Sequence, residues 1–222
     1  VSPKAEPGEV LPAFYSAIGQ FAETHGFSGW HLLFADAALQ KVLSQIQGGE
    51  PFLHREAVQF HWFNRDYRGF DDFLATLRSS RRKNLRRERR IVAQQGVSLE
   101  RKTGAAISDE EWQGFYRCYT STYLKRSGHE GYLNEDFFAR LRRTQCENLM
   151  LVVARVDDEI VASSLFLFDS ERLYGRYWGA LRDISCLHFE TCFYQGIEFC
   201  IDRGLKEFDP GAQGEHKLMR GF

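Results

Sequence analysis

Ser79 to Arg90 carries seven basic residues and one acid, Glu88. On a helix opened by Ser79 or Ser80, Arg81, Arg82 and Lys83 occupy the first turn, against the positive end of the macrodipole. That placement is unfavourable unless an anion binds there, so the segment is read as an anion site. Phosphates of a cofactor, a nucleotide-linked substrate or RNA would fit it, and a solvated charged face is the plain alternative. Further on, Leu173-Tyr174-Gly175-Arg176-Tyr177-Trp178-Gly179-Ala180 sets two glycines and an arginine among aromatics. Strand alternation places Tyr174, Arg176 and Trp178 on one face, and a strand glycine marks close approach of a ligand or another backbone. For Gly175 and Gly179 taken singly, tight packing is the better reading.

His188-Phe189-Glu190 opens a late helix, where a His–carboxylate neighbourhood could supply a base. Two residues apart, His188 and Glu190 do not share a helical face. Asp209 to Lys217 is a polar, Gly-rich loop following a strand, and loops at strand ends carry function. It matches neither phosphate-binding glycine motif. His188 and Cys192 are four apart, yet no second pair completes a zinc set, so no metal is expected.

These residues need a scaffold. With 14% aromatic residues and 43% apolar, the chain is neither disordered nor of low complexity. No apolar run reaches the roughly 18 residues of a membrane span, and Val1-Ser2-Pro3-Lys4 does not resemble a signal peptide. Five cysteines without a C-x-x-C pair are read as structural thiols in a reducing cytoplasm. The net charge of −1 averages a basic segment with a net acidic remainder.

Helical spacing of Leu11, Phe14, Ile18, Phe21 and Ala22 ends at Gly26, and a short strand is expected over Trp30–Phe34. Asp36 caps a helix with Leu39, Val42, Leu43 and Ile46. After Gly48-Gly49-Glu50-Pro51, Val58–Trp62 alternates as a strand. Helices follow from about Asp71 to Leu77 and from Ser79 to near Gly96, with a strand at Val97–Leu99. Ser108-Asp109-Glu110-Glu111 is a capping box, and Asn134 caps a further helix. Leu149–Val156, Ile160–Phe168 and Leu173–Leu181 form an antiparallel meander, the first strand covered on both faces. A helix stopping at Gly204 and a strand near Phe208 complete the chain. Phe14-Tyr15, Ile18 and Gly26 faintly echo Phe193-Tyr194, Ile197 and Gly204, as two copies of one α/β unit would.

Five blocks, Arg81–Arg89, Gly131–Phe138, Leu173–Gly179, His188–Gln195 and Gly211–Lys217, occur in an order that resembles the FemAB-like branch of the GNAT acyltransferase superfamily, from about Val58 to Phe222. The resemblance implies an α/β (α+β) fold with a mixed, largely antiparallel sheet flanked by helices. It implies tandem GNAT-like units, the first incomplete: residues 1–66 the back half of one, residues 67–222 a second lacking its C-terminal end. Val1 is no initiator Met, and both ends are read as cut.

The implied activity is N-acyl transfer from an activated donor to an amine acceptor, in cell-wall or peptidoglycan metabolism. Fem relatives use aminoacyl-tRNA, so tRNA is an expected partner; ordinary GNAT enzymes use acyl-CoA. The usual pyrophosphate motif is absent before His188, where Leu181–Leu187 stands. In this reading Glu190 or His188 accepts the proton and Tyr174 or backbone N–H groups steady the oxyanion. Arg81, Arg82, Lys83 and Arg87 hold donor phosphates, and Arg176, Trp178, Gln213, Glu215, His216 and Lys217 contact substrate. The alternative is a non-catalytic RNA- or anion-binding module, or a scaffold, built on the basic helix.

Overall fold

A computed structural model describes residues 7–44, 53, 55–212 and 214–222. Gln213, Ile46 and Gly48–Pro51 lie outside the described residues. The chain divides into two compact units, Val1–Glu56 and Ala57–Phe222. In the first, α1 (Pro7–Thr24) and α2 (Ala37–Leu43) are helical. Leu11 and Ala22 are buried, whereas Phe14 and Phe21 are exposed. Trp30–Phe34 is irregular rather than a strand. Asp36 caps α2 by accepting from the Leu39 N–H at 2.7 Å, as its position predicts.

The second unit is one six-stranded sheet between two helical layers. Its strands are β1 (Trp62–Phe63), β2 (Ser98–Thr103), β3 (Leu149–Val156), β4 (Glu159–Phe168), β5 (Arg172–Ala180) and β6 (Glu207–Asp209), in the order β1-β6-β5-β4-β3-β2. All neighbours are antiparallel except β5 and β6. The strand expected at Val58–Trp62 shrinks to Trp62–Phe63 and pairs with β6. The continuous apolar run of β3 is explained by its two covered faces. Met150 and Val152 pack under α3 (Phe70–Thr76), α4 (Ser79–Gln94) and α8 (Gln195–Arg203), with Phe73, Leu85, Phe193 and Ile197. Leu149, Leu151 and Val153 pack under α5 (Asp109–Ser127) and α6 (Glu135–Gln145), with Phe115, Tyr119 and Phe138.

Local signals place most helix ends. Ser108 and Glu111 form the reciprocal capping box of α5, and Asn134 accepts from Phe137 N–H at 3.0 Å. Gly204 stops α8 in the left-handed region at φ 68°. One cap is corrected: α4 begins at Ser79 with Arg78 as its N-cap, and no serine side chain caps it, because the extended Arg78 is already the junction with α3. Between α7 (Leu187–Phe189) and α8 the helix widens into a π turn, Glu190–Tyr194, a feature that recurs at functional sites. At Gly179 a Cβ would lie 1.9 Å from the Cys118 carbonyl oxygen, so only glycine lets α5 press on β5 here.

Candidate functional site

The parallel pair of β5 and β6 is registered at only three positions, ending at Tyr174 with Asp209; beyond it the chain turns through Pro210. Backbone follows closely: a Cβ on Gly175 would meet Pro210 Cα at 3.3 Å. In the splay beyond this point lies a cleft of about 360 Å³, lined among others by Ser164, Trp178, His188, Cys192, His216 and Lys217. Parting strands leave main-chain groups without ladder partners, which is where α/β sheets bind ligands.

A bulge decides which side chains reach it. Leu165 pairs with Tyr177 but Phe166 with Gly175, so Arg176 is the extra residue. Alternation inverts across it. Tyr177 packs toward α5, 5.6 Å from the Tyr119 ring, whereas Trp178 stands on the opposite face, 4.7 Å from the His188 ring. Arg176 and Trp178 line the cleft, and Tyr174 does not: its hydroxyl donates to Asp169 at 3.2 Å. The expected common face of Tyr174, Arg176 and Trp178 is therefore corrected, since one inserted residue breaks the period of two.

The expected acid–base pair is likewise split. His188 lines the cleft; Glu190 does not. Buried Glu190 is held by Arg89, whose Nε and Nη2 each donate at 3.1 Å, and by Gln195 at 2.8 Å. Burial raises its pKa, with Arg89 pulling the other way. A carboxylate so occupied anchors α4 to the π turn and is not an open base. His188 keeps Nδ1 3.4 Å from the Cys192 thiol, which itself lies 3.3 Å from Ser164 Oγ. Nε2 is then the ring nitrogen left for proton exchange. Burial, reinforced by the charges of His216, Arg126, Arg220 and Lys217, lowers the His188 pKa to about 4, so the imidazole is neutral at pH 7. Cys192 is no mere packing residue, although burial pushes its thiol up to about 12 and keeps it protonated.

Lys217, expected to contact substrate, lies in the cleft lining. Its side chain is buried, and its ammonium donates to the carbonyls of Gly211 and Ala212. No carboxylate forms an ion pair with it among the described residues, and burial lowers its pKa. The Trp178 indole nitrogen is also buried without a partner among those residues. With Arg126 and Arg176, the charged lining is entirely basic. Asp209 sits behind it, 3.7 Å from the Arg176 guanidinium and raising the Lys217 pKa against the effect of burial, while accepting from Gln59 at 2.6 Å and from the Gly211 N–H at 2.8 Å. Glu215 is exposed and outside the lining.

The basic helix is largely spent on the fold. Arg81 donates to the Leu218 carbonyl at 3.1 Å, and Arg82 to those of Ala75 and Leu77. Arg86 pairs with Asp71, while Arg87 donates to Asn84. Lys83, Arg87 and Arg90 are exposed. None of Arg81, Arg82, Lys83 and Arg87 lines the cleft. The helix docks through its lone acid: Glu88 and Arg220 form a buried pair at 2.7 Å, joined by the hydroxyl of Tyr194, which donates to Glu88. The roles of Arg89 and Arg220 are not signalled by spacing, because each works through a partner remote in the chain, and Arg126 is identified by its place in the lining. The cleft's helix start offers little to a pyrophosphate, since the N–H groups of Leu187 and Phe189 are already bonded to Ile184 and Cys186.

Among the described residues no helix is long and apolar enough to cross a membrane, and no His, Cys, Asp and Glu cluster could hold a metal. No curated protein matches. Among solved structures, L-PGS from Bacillus licheniformis is similar at 15% identity and a TM-score of 0.50, over 73% of this chain and 49% of that one. A conserved protein of unknown function from Bacteroides thetaiotaomicron VPI-5482 is similar at 16% identity and 0.51, over 95% and 71%. FemX is similar at 13% identity and 0.51, over 93% and 68%. The present chain thus spans about half the length of L-PGS, and at such identities the likeness is one of fold. Residues 1–222 match the FemAB-like family, described as peptidoglycan biosynthesis/recognition. Since that match runs the whole length of the chain and the mixed sheet agrees with it, this protein belongs to the FemAB-like family.

Proposed function

We propose that the protein is an N-acyltransferase that moves an aminoacyl group from an ester-linked donor, aminoacyl-tRNA, to the amine of a peptidoglycan precursor. The observation that carries this reading is the buried Lys217 ammonium, which among the described residues is hydrogen-bonded by two carbonyls and makes no direct ion pair, in a cleft whose charged lining is basic. Asp209 acts on this cation without a direct ion pair among the described residues, so the ammonium is stabilised further when an anion, or an oxygen that becomes one, arrives beside it. Acyl transfer supplies such an oxygen. The amine nitrogen attacks the ester carbonyl carbon, a C–N bond forms, and the carbonyl oxygen becomes an oxyanion. The C–O bond then breaks, the amine proton passes to a base, and the departing ribose oxygen takes up a proton. In this proposal Lys217 and the unpartnered Trp178 indole N–H stabilise the oxyanion, and His188 Nε2 takes the amine proton. Arg126 and Arg176 hold the anionic part of the substrate. That anion offsets the cationic neighbours that depress the His188 pKa, so substrate binding itself strengthens the base.

The occupied helix start speaks for a donor held by side chains rather than for the pyrophosphate of CoA. Residues 1–66 are read as the partial companion of the same kind of unit, and the compact unit Val1–Glu56 falls within them. Transfer of radiolabelled alanine from alanyl-tRNA to a UDP-linked muropeptide by the purified chain tests the reading. Product is expected with the wild type and lost in His188→Ala. Product from acetyl-CoA and none from alanyl-tRNA would refute the donor, and product from neither would refute the function.

A further inference from the structure

A second cavity, of about 330 Å³, is framed by the turn between α5 and α6. Tyr116, Tyr132, Leu133 and Phe137 give it apolar walls, with Glu130 and Asn134 beside them. Tyr132 is 82% exposed, an unusual setting for so large an aromatic, and Phe137 is 40% exposed. The turn is nonetheless held firmly. Gly128 closes α5 in the left-handed region, His129 Nδ1 accepts from the Gly131 N–H at 3.1 Å, and the Tyr119 hydroxyl accepts from the Leu133 N–H at 3.3 Å. Gly131, at φ +108°, has no room for a side chain, since a Cβ would come within 2.7 Å of the Tyr119 ring. The rings of His129 and Tyr123 meet Tyr132 at 5.0 and 5.9 Å, both T-shaped. The exposed ring is therefore pre-positioned, and a ligand stacking on it need not order a loop.

Polar groups are left over around these walls. Asn134 uses its Oδ1 on the α6 cap, and no partner holds its amide N–H groups among the described residues. The Glu130 carboxylate has no hydrogen bond or ion pair there either. It is the sole charged residue of the lining, and Glu135 and Asp136 follow in the chain. Single-stranded nucleic acid is bound by aromatic platforms set along a basic track; the charge here is of the opposite sign. A flat C–H face bordered by hydroxyls matches the site instead, with the apolar face against the rings, hydroxyls donating to the carboxylate and sugar oxygens accepting from the amide.

We infer that this cavity is a saccharide subsite, taking an uncharged pyranose ring stacked on Tyr132 and Phe137 and hydrogen-bonded by Glu130 and Asn134. It requires nothing of the acyl-transfer chemistry. Chitotriose titrated into the full 222-residue chain, followed by aromatic NMR and calorimetry, tests it. Saturable shifts of the Tyr132 ring are expected, with affinity falling about tenfold in Tyr132→Ala and in Phe137→Ala and retained in Tyr132→Phe. These side chains are exposed, so an unchanged melting temperature confirms that the variants remain folded. The inference is overturned if chitotriose gives no saturable shift at Tyr132, if both alanine variants bind as the wild type does, or if oligouridylate saturates Tyr132 and chitotriose does not.

Discussion

Lys217→Met separates a functional cation from a structural one by the size of the stability change set against the change in rate. Methionine keeps the apolar stem and removes the ammonium. The ammonium makes charge-assisted bonds to two carbonyls, worth about 1.5–3 kcal/mol each, against a desolvation cost of several kcal/mol for a buried ion that Asp209 offsets only without direct contact. The carbonyls of half-buried Gly211 and exposed Ala212 can turn to water once released. The two effects nearly cancel, so the change in unfolding free energy is expected within about 1 kcal/mol of zero. Linkage gives the pH signature. Burial sets the folded pKa of Lys217 below its unfolded value, so the unfolded chain binds more protons between the two, and wild-type stability rises with pH across that interval. The methionine variant lacks this rise. Loss of an oxyanion donor, in contrast, lowers single-turnover transfer about 10²–10³-fold, equivalent to about 2.7–4 kcal/mol. Urea denaturation at several pH values, with single-turnover transfer on the same preparations, measures both. Destabilisation beyond about 3 kcal/mol with an unchanged rate per folded molecule would refute the reasoning and make Lys217 a structural residue.

Two further outcomes follow from the buried charges. Arg220→Ala strands Glu88 with only Asn84 and Tyr194 as donors and removes the guanidinium lying 3.4 Å from the Phe189 ring centre. A loss of about 3–5 kcal/mol is expected in urea denaturation, and joint replacement as Glu88→Leu with Arg220→Met should restore most of it. For His188, the folded pKa of about 4 lies below the unfolded value of 6.5, so stability falls on acidification through that interval, by up to about 3 kcal/mol. His188→Phe should flatten the profile between pH 6.5 and 4, and a profile unchanged by the substitution would show that His188 is not held neutral by burial.

What the sequence determined by itself is local. Ser108 with Glu111, Asn134, Asp36 and Gly204 end helices through contacts within a few residues, so spacing suffices to place them. The both-faces-buried strand Leu149–Val156 and the meander after it are legible for the same reason. The structure brings His216 and Lys217 of the late loop and His188 of the helix opening to one cleft, since polar loops after strands lie at sheet ends. Tertiary structure decided the rest. The bulge at Arg176 puts Tyr174 and Trp178 on opposite faces of the sheet, and no period-two reading can register one inserted residue. Glu190 and His188, neighbours in the chain, part company because Arg89, 101 residues upstream, claims the carboxylate. The basic helix, the strongest charge signal in the chain, turns one face inward on Glu88 and spends its arginines on carbonyls and acids of other segments. Charge along a sequence counts what is present; which charges are ion-paired depends on partners that only folding brings within reach, and here, among the described residues, that leaves Lys217 buried in the cleft on two carbonyls with no direct ion pair.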